Sequence, residues 1–243
     1  MPAVPYYRAD LARIHHEGFA FHADAVAPGI LRLLAPVRER GGLVVEIGCG
    51  SGLLTKYLVD AGHRVIATDA SPAMVDLARE YVPSIPIEVL CVPDDPIPAA
   101  DAIVSVGHPL SYLDNKPQVE EALVAISDAL EPGGMLVLDI CDIEWGTARR
   151  GQSPRVWFGD DWVLVTRTSV PEPHTFRREM TMFVKSGDLW RRDDESHDNV
   201  LLDTDQIPAF LAAHGIEAEV KPRFGDETLS TGLVAVIGRR PPA

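Results

Sequence analysis

Five residues between positions 46 and 69 carry the most specific chemistry in the chain. The run VVEIGCGSG places an acid, Glu46, before glycines at 48, 50 and 52. Glycines at a strand-to-helix turn let the backbone take φ > 0 and let a ligand approach the main chain with no Cβ in the way. A dinucleotide pyrophosphate requires G-x-G-x-x-G, but three residues beyond Gly50 stands Leu53, so the third glycine comes one position early. The Gly-Lys-Ser/Thr of a P-loop is absent. Glu46 would repel a pyrophosphate; it would suit a cationic ligand, or brace the glycine loop as a hydrogen-bond acceptor. Asp69 ends the next apolar run, where a carboxylate can accept both hydroxyls of a ribose, a feature shared with dinucleotide sites.

These residues need a scaffold that sets strand ends side by side, and the surrounding pattern supplies one. LVVEIG, RVIATD, IEVLCV, ADAIVSVG and MLVLDIC read as short apolar strands. Between them LLTKYLVDAG, PAMVDLAREYV (Ser71 as N-cap, Pro72 at its first position) and KPQVEEALVAISDALEPGG, with a glycine stop, read as helices. Apolar strands alternating with amphipathic helices predict a doubly wound α/β fold, its ligand at the carboxyl ends of the strands. Residues from about 10 to 37 predict a helix interrupted near Pro28 and ended around Pro36. After Asp142, DDWVLVTRTSV, TFRREMTMFVKSG and LWRRDDESHDNVLL predict three antiparallel strands; DTDQIPAFLAAHG, IEAEVKPRF and GLVAVIGRR then return to the α/β pattern. The expected organisation is one domain, with an N-terminal helical lid (1–37), a core (38–146), an antiparallel cap insert (147–200) and a return to the core (201–243).

At these residues the chain resembles the class I S-adenosylmethionine-dependent methyltransferases. EIGCGSG is similar to their cofactor loop, ATDAS to their ribose-binding strand end, SPAM to the following helix start and LEPGGMLVLDI to the turn into strand five. The resemblance implies a seven-stranded, mostly parallel, Rossmann-like sheet with its last strand antiparallel. It also implies that Glu46, Gly48, Cys49 and Gly50 line the methionine end of S-adenosylmethionine and that Asp69 holds the ribose. Ala70, Met74, Val92, Pro93 and Asp94 would border the adenine, and Val106, ending strand four, joins the cofactor residues. The cofactor has an ammonium, a sulfonium and no phosphate, as Glu46 and the glycine spacing ask; its demethylated product is S-adenosylhomocysteine.

Methyl transfer is an in-line displacement, so the acceptor should lie above strand four, beside the sulfur. That strand ends SVGHPLSYL, in place of the Asp/Asn-Pro-Pro-Tyr/Phe found in methyltransferases of base amino groups and some protein amides. His108 is then placed to bind the acceptor or take its proton, or to cap the loop by hydrogen bonds. His15 and His16 lie in RIHHEGF, the segment that small-molecule members fold over their cofactor, where Tyr7 and Phe19 could close it. His197, in DESHDN, resembles a histidine that related N-methyltransferases carry before their last helix. His16, His108 and His197 are the candidate catalytic residues. No metal is expected, since nothing in the histidine spacing requires one. The insert and lid resemble those of glycine, sarcosine and amino-sugar N-methyltransferases; Trp145, Trp157, Trp162 and Trp190 would wall the acceptor or form the cap's own core.

The whole composition agrees. The chain has 243 residues, 22 Lys and Arg against 36 Asp and Glu, and a formal net charge of −14, a poor balance for nucleic acid or anionic lipid. The pairs Arg149–Arg150, Arg177–Arg178 and Arg191–Arg192 lie among acids and read as solvated faces. Cys49, Cys91 and Cys141 are far apart and match no zinc spacing. No apolar run approaches the roughly 18 residues of a membrane span, and the N-terminus lacks a signal h-region, so the expected location is cytoplasmic. The expected function is methyl transfer to a small-molecule acceptor, at nitrogen before oxygen. A cofactor-binding module without turnover is the rival, and an NAD-dependent oxidoreductase is disfavoured by Leu53 and Glu46. The acceptor's identity and the oligomeric state, with a homodimer as candidate assembly, are not set by these residues.

Overall fold

The computed structural model describes residues 6–242, so the start of the expected lid, residues 1–5, lies outside the described residues. Two helices come first, α1 (Ala9–Gly18) and α2 (Phe21–Glu39). The break falls at Phe19–Ala20 and not at Pro28; Pro28 and Pro36 both lie inside α2. Gly18 ends α1 against the Trp162 ring, where a Cβ would come within 2.9 Å of the indole, a tertiary contact with no local signature.

The core alternates as expected: β1 (Leu43–Ile47), α3 (Leu53–Asp60), β2 (Arg64–Asp69), α4 (Pro72–Tyr81), β3 (Ile87–Val89), β4 (Ala100–Ser105), α5 (Lys116–Ala129) and β5 (Leu130–Cys141). Ser71 caps α4, its Oγ accepting from Met74 N at 3.3 Å. The Pro-Gly-Gly expected to end α5 instead lies within β5, because Leu130 already pairs with Ala100. A helix absent from the sequence reading follows, α6 (Ile143–Arg149).

The insert is a sheet of four strands rather than three: β6 (Arg155–Phe158), β7 (Trp162–Glu172), β8 (Thr175–Ser186) and β9 (Leu189–Val200), paired antiparallel in that order. The extra strand, β6, is short and half exposed, with little apolar periodicity to announce it. Helix α7 (Ile207–Ala213), β10 (Glu217–Lys221) and β11 (Leu233–Arg239) complete the chain.

The main sheet has the order β10-β11-β5-β4-β1-β2-β3, parallel except for β11, which runs antiparallel to both its neighbours. Alternation along the strands divides the core between two faces. Val44, Ala102 and Val104 meet Ile30, Leu34, Leu58 and Val75 from α2, α3 and α4. Val45, Ile103 and Leu136 meet Leu123, Ile126 and Leu211 from α5 and α7. The chain moves outward from β1 to β3, then returns to β4 on the other side of β1. The register therefore brings Glu46, Asp69 and Ser105 to one edge at a topological switch point. On the second sheet, Met180, Met182 and Val184 turn inward onto Leu11 and Ile14 of α1, which joins the N-terminal segment to the insert. No described helix is long and apolar enough to cross a membrane.

Candidate active site

The loop after β1 is built from three left-handed glycines, Gly48 (φ +72°), Gly50 (φ +56°) and Gly52 (φ +84°). A Cβ on Gly48 would collide with the Pro109 ring, so that glycine lets the loops after β1 and β4 touch. A Cβ on Gly50 would meet nothing within 4 Å: its face is open, as a cradle for a ligand must be. The loop is braced from below. Thr55 donates its hydroxyl to Glu46 Oε2 at 2.7 Å, and Thr68 donates to the Glu46 carbonyl at 2.9 Å. Burial raises the Glu46 pKa to about 8, the Thr55 bond opposing it. Asp69 accepts from Gly50 N through Oδ2 and from Ser71 N through Oδ1, both at 2.8 Å. Each oxygen keeps a free lone pair, enough for a ribose hydroxyl. Burial also raises the Asp69 pKa, against these two N–H bonds.

Of the remaining cofactor candidates, Cys49, Ala70 and Val106 stand at the same strand edge, whereas Pro93 and Asp94 do not. Cys49 is buried, its N–H donating to Thr68 O at 2.9 Å. Ala70 is exposed just beyond β2, and Val106 is partly buried just beyond β4. Met74 is 2% exposed behind the Ser71 cap. Val92 packs on the core, while Pro93 and Asp94 line a surface hollow with Ala125 and Asp128 of α5.

Over this edge lies the N-terminal segment. The carbonyl of Tyr7 accepts from Ser71 Oγ at 2.8 Å, beside the Asp69 loop. Tyr7 N and Arg8 N each donate at 2.9 Å to the Glu195 carboxylate on β9, and Arg8 reaches Asp193 at 2.7 Å. His16 turns to the glycine loop, its Nδ1 3.0 Å from Ser51 Oγ and its ring edge-on to Tyr81. His15 takes the other direction, towards Tyr7.

A buried polar cluster fills the space above β4. His108 is itself left-handed (φ +53°), and the 139 carboxylate on β5 holds its loop. Asp139, fully buried, accepts from His108 N at 2.5 Å and Gly107 N at 3.1 Å, and pairs with His22 Nε2 at 3.0 Å. Burial opposes protonation of His22, yet the Asp139 hydrogen bond and charge outweigh it and raise its pKa. The His108 ring stacks on Tyr112 with centroids 5.5 Å apart and tilts on Trp145 at the same distance. Tyr112 in turn contacts Tyr7, Tyr6 and His197. His197 donates through Nε2–H to Glu195 Oε2 at 2.8 Å. Burial, with the Arg178 charge next, pushes His108 down to about 3 and His15 down to about 4. Burial also lowers His197, against the Glu195 bond. All three imidazoles are therefore neutral near pH 7.

The structure thus brings His108 and His197 together through Tyr112, and sets His16 over the glycine loop. Arg178, expected on a solvated face, turns inward opposite His197, while Arg177 stays outside and pairs with Asp198 at 2.6 Å. Of the tryptophans, Trp162 is buried in the contact with α1 and donates to Glu17, Trp190 is half exposed, and Trp157 meets Phe19. Trp145 alone touches His108, under the Arg149 guanidinium. Sequence reasoning missed His22, Tyr112, Asp139, Arg178 and Glu195. Asp139 had a signal, an acid inside the apolar run LVLDIC, and Glu195, His197 and Asn199 share the period of two that puts them on one strand face. Among the described residues no group of three or more His, Cys, Asp or Glu side chains could hold a metal ion.

Residues 44–134 match a family described as a methyltransferase domain. Among curated relatives, an uncharacterized methyltransferase of Oceanobacillus iheyensis is 33% identical over 112 residues, covering 45% of this chain and 51% of that protein. The N-demethylindolmycin N-methyltransferase of Streptomyces griseus is 30% identical over 156 residues, covering 58% of this chain and 65% of that one. The chain thus spans about half to two thirds of the length of these two relatives. In fold it is similar to the sugar N-methyltransferase KedS8 from Streptoalloteichus, with a TM-score of 0.80 at 22% identity over 99% of this chain and 97% of that one.

Proposed function

We propose that this chain, a class I methyltransferase by its domain match and its fold, moves the methyl group of S-adenosylmethionine onto a nitrogen of a small molecule. One observation carries the reading: the open glycine cradle with Asp69 shares a strand edge with a buried polar cluster at the end of β4. The cradle fits a phosphate-free nucleoside, with Gly48, Cys49 and Gly50 at the methionine end and Asp69 at the ribose. Ala70, Met74, Val92, Pro93, Asp94 and Val106 would complete the seat towards the adenine. When bound, the cofactor supplies an electrophilic methyl on a sulfonium leaving group. What remains for the protein is alignment and exclusion of water.

Residues of this chain suit that task. The segment from Tyr7 through α1, tied to Ser71 on one side and Glu195 on the other, would cover the reacting centre as a lid, with the antiparallel sheet as its cap. Neutral His108, its Nδ1 buried without a protein partner, would accept a hydrogen bond from the incoming amine and orient its lone pair. His197 has the same freedom at Nδ1 when Nε2–H donates to Glu195. His16 would act on the cofactor side, through Ser51.

The test is formation of S-adenosylhomocysteine by purified protein given separate pools of small amines and small alcohols. Turnover with the amine pool is expected. Turnover with alcohols only would make it an O-methyltransferase, and cofactor binding with no turnover in either pool would make it a non-catalytic binding module.

A further inference from the structure

Arg178 sits on β8 in register with His197, on the inner face of the second sheet. Its Nη2 donates to the Tyr112 hydroxyl and lies 3.4 Å from the Tyr7 hydroxyl, while its Nε is buried with no acceptor. No carboxylate pairs with it among the described residues. Arg178 is half-buried, and a guanidinium partly withdrawn from water without a counter-charge is costly, since buried ones are normally paired. The buried acid of the cluster, Glu195, is already engaged by Tyr7 N, Arg8 N and His197.

The groups around Arg178 repeat the imbalance. The Tyr7 and Tyr112 hydroxyls share one hydrogen bond of 2.9 Å, which leaves one phenolic hydrogen free. The indole N–H of Trp145 is buried and unpartnered. His15, His108 and His197 contribute no positive charge, since burial and Arg178 itself hold them neutral. The cluster therefore offers one guanidinium with no carboxylate hydrogen-bonded to it among the described residues, and several donors without acceptors.

We infer that the methyl acceptor carries a carboxylate, received by the Arg178 guanidinium together with the Tyr7 and Tyr112 hydroxyls. This rests on the methyltransferase reading for what the ligand undergoes, and on the cluster alone for what binds. A single guanidinium, in a cluster that already holds the buried Asp139 and Glu195 carboxylates, favours a monoanion over a phosphate dianion. The Nε–H and an Nη–H form the fork that matches two carboxylate oxygens. Once neutralised, Arg178 no longer repels a proton from His108, so the bound acid would improve His108 as a proton acceptor.

Histidine-labelled protein titrated with sodium acetate at constant ionic strength, with sodium chloride as control and followed by nuclear magnetic resonance, tests the site without cofactor or turnover. Saturable shifts of the His108 and His15 signals are expected, weakened about tenfold or more in Arg178→Gln and less in Arg178→Lys. No saturable shift in the wild type, or an equal one in either folded variant, overturns the assignment. Matched acceptors give the second readout: an amino acid should be methylated about tenfold or more faster than its carboxamide. Equal rates overturn the carboxylate, and absence of any methylation strikes the proposed function while leaving the acetate result intact.

Discussion

Among the described residues only the Thr55 hydroxyl bonds the Glu46 carboxyl, and burial raises its pKa from 4.5 to about 8. The native state therefore holds a proton that the unfolded chain releases across this range. The resulting stability is full below pH 4.5 and is lost as pH rises through about 8. Glu46→Gln should flatten that decline, seen as a melting temperature less dependent on pH between these limits; parallel curves for variant and wild type would refute it. Asp69 is the next test. Asp69→Ala removes the proposed ribose acceptor and should weaken S-adenosylmethionine binding at least about tenfold, about 1.4 kcal/mol, by calorimetry. Unchanged affinity would cancel the ribose role. His108→Ala should lower turnover with little effect on cofactor affinity, and wild-type turnover would reduce the histidine to a loop support.

At the scale of elements, the loop after β1 does two jobs with neighbouring glycines. Gly48 is closed against Pro109 and Gly50 is open. Gly48→Ala should therefore act on folding, by strain at positive φ plus collision with the β4 loop, costing about 1–3 kcal/mol in chemical denaturation. Gly50→Ala carries backbone strain of about 1 kcal/mol and should show its larger effect on cofactor affinity, where the new methyl intrudes on the cradle. A reversed ranking would mean that the open face is not where the ligand lies. The strand pairing of β8 with β9 is the other element that matters. Its register alone sets Arg178 opposite His197 and leaves Arg177 outside.

For the whole molecule, Glu195 is the joint between the two sheets' territories. Its carboxylate holds Tyr7 and Arg8, and Tyr7 reaches Ser71 beside the glycine loop and Tyr112 beside His108. Glu195→Ala should free this segment, raising protease cleavage before Phe21 and lowering turnover more than cofactor affinity. An unchanged cleavage pattern would show that the contact of Leu11 and Ile14 with the inner face of the sheet is sufficient by itself.

Residue type and spacing alone determined the α/β core and the glycine loop that we propose as the cofactor end of the site. Both are local: a parallel strand is an apolar run, and the cradle is a single turn whose glycines and acids stand within 24 positions, from 46 to 69. The acceptor end was decided only by tertiary structure. Tyr7, the His108–Tyr112 turn, Asp139, Arg178 and Glu195 come from five separate stretches of chain, and nothing in the string measures their convergence. Neighbouring arginines looked alike until sheet pairing turned one towards solvent and the other inward. The helix break at Phe19 and the fourth cap strand were hidden for the same reason, since packing against Trp162 and pairing with β7 stabilise them rather than propensity.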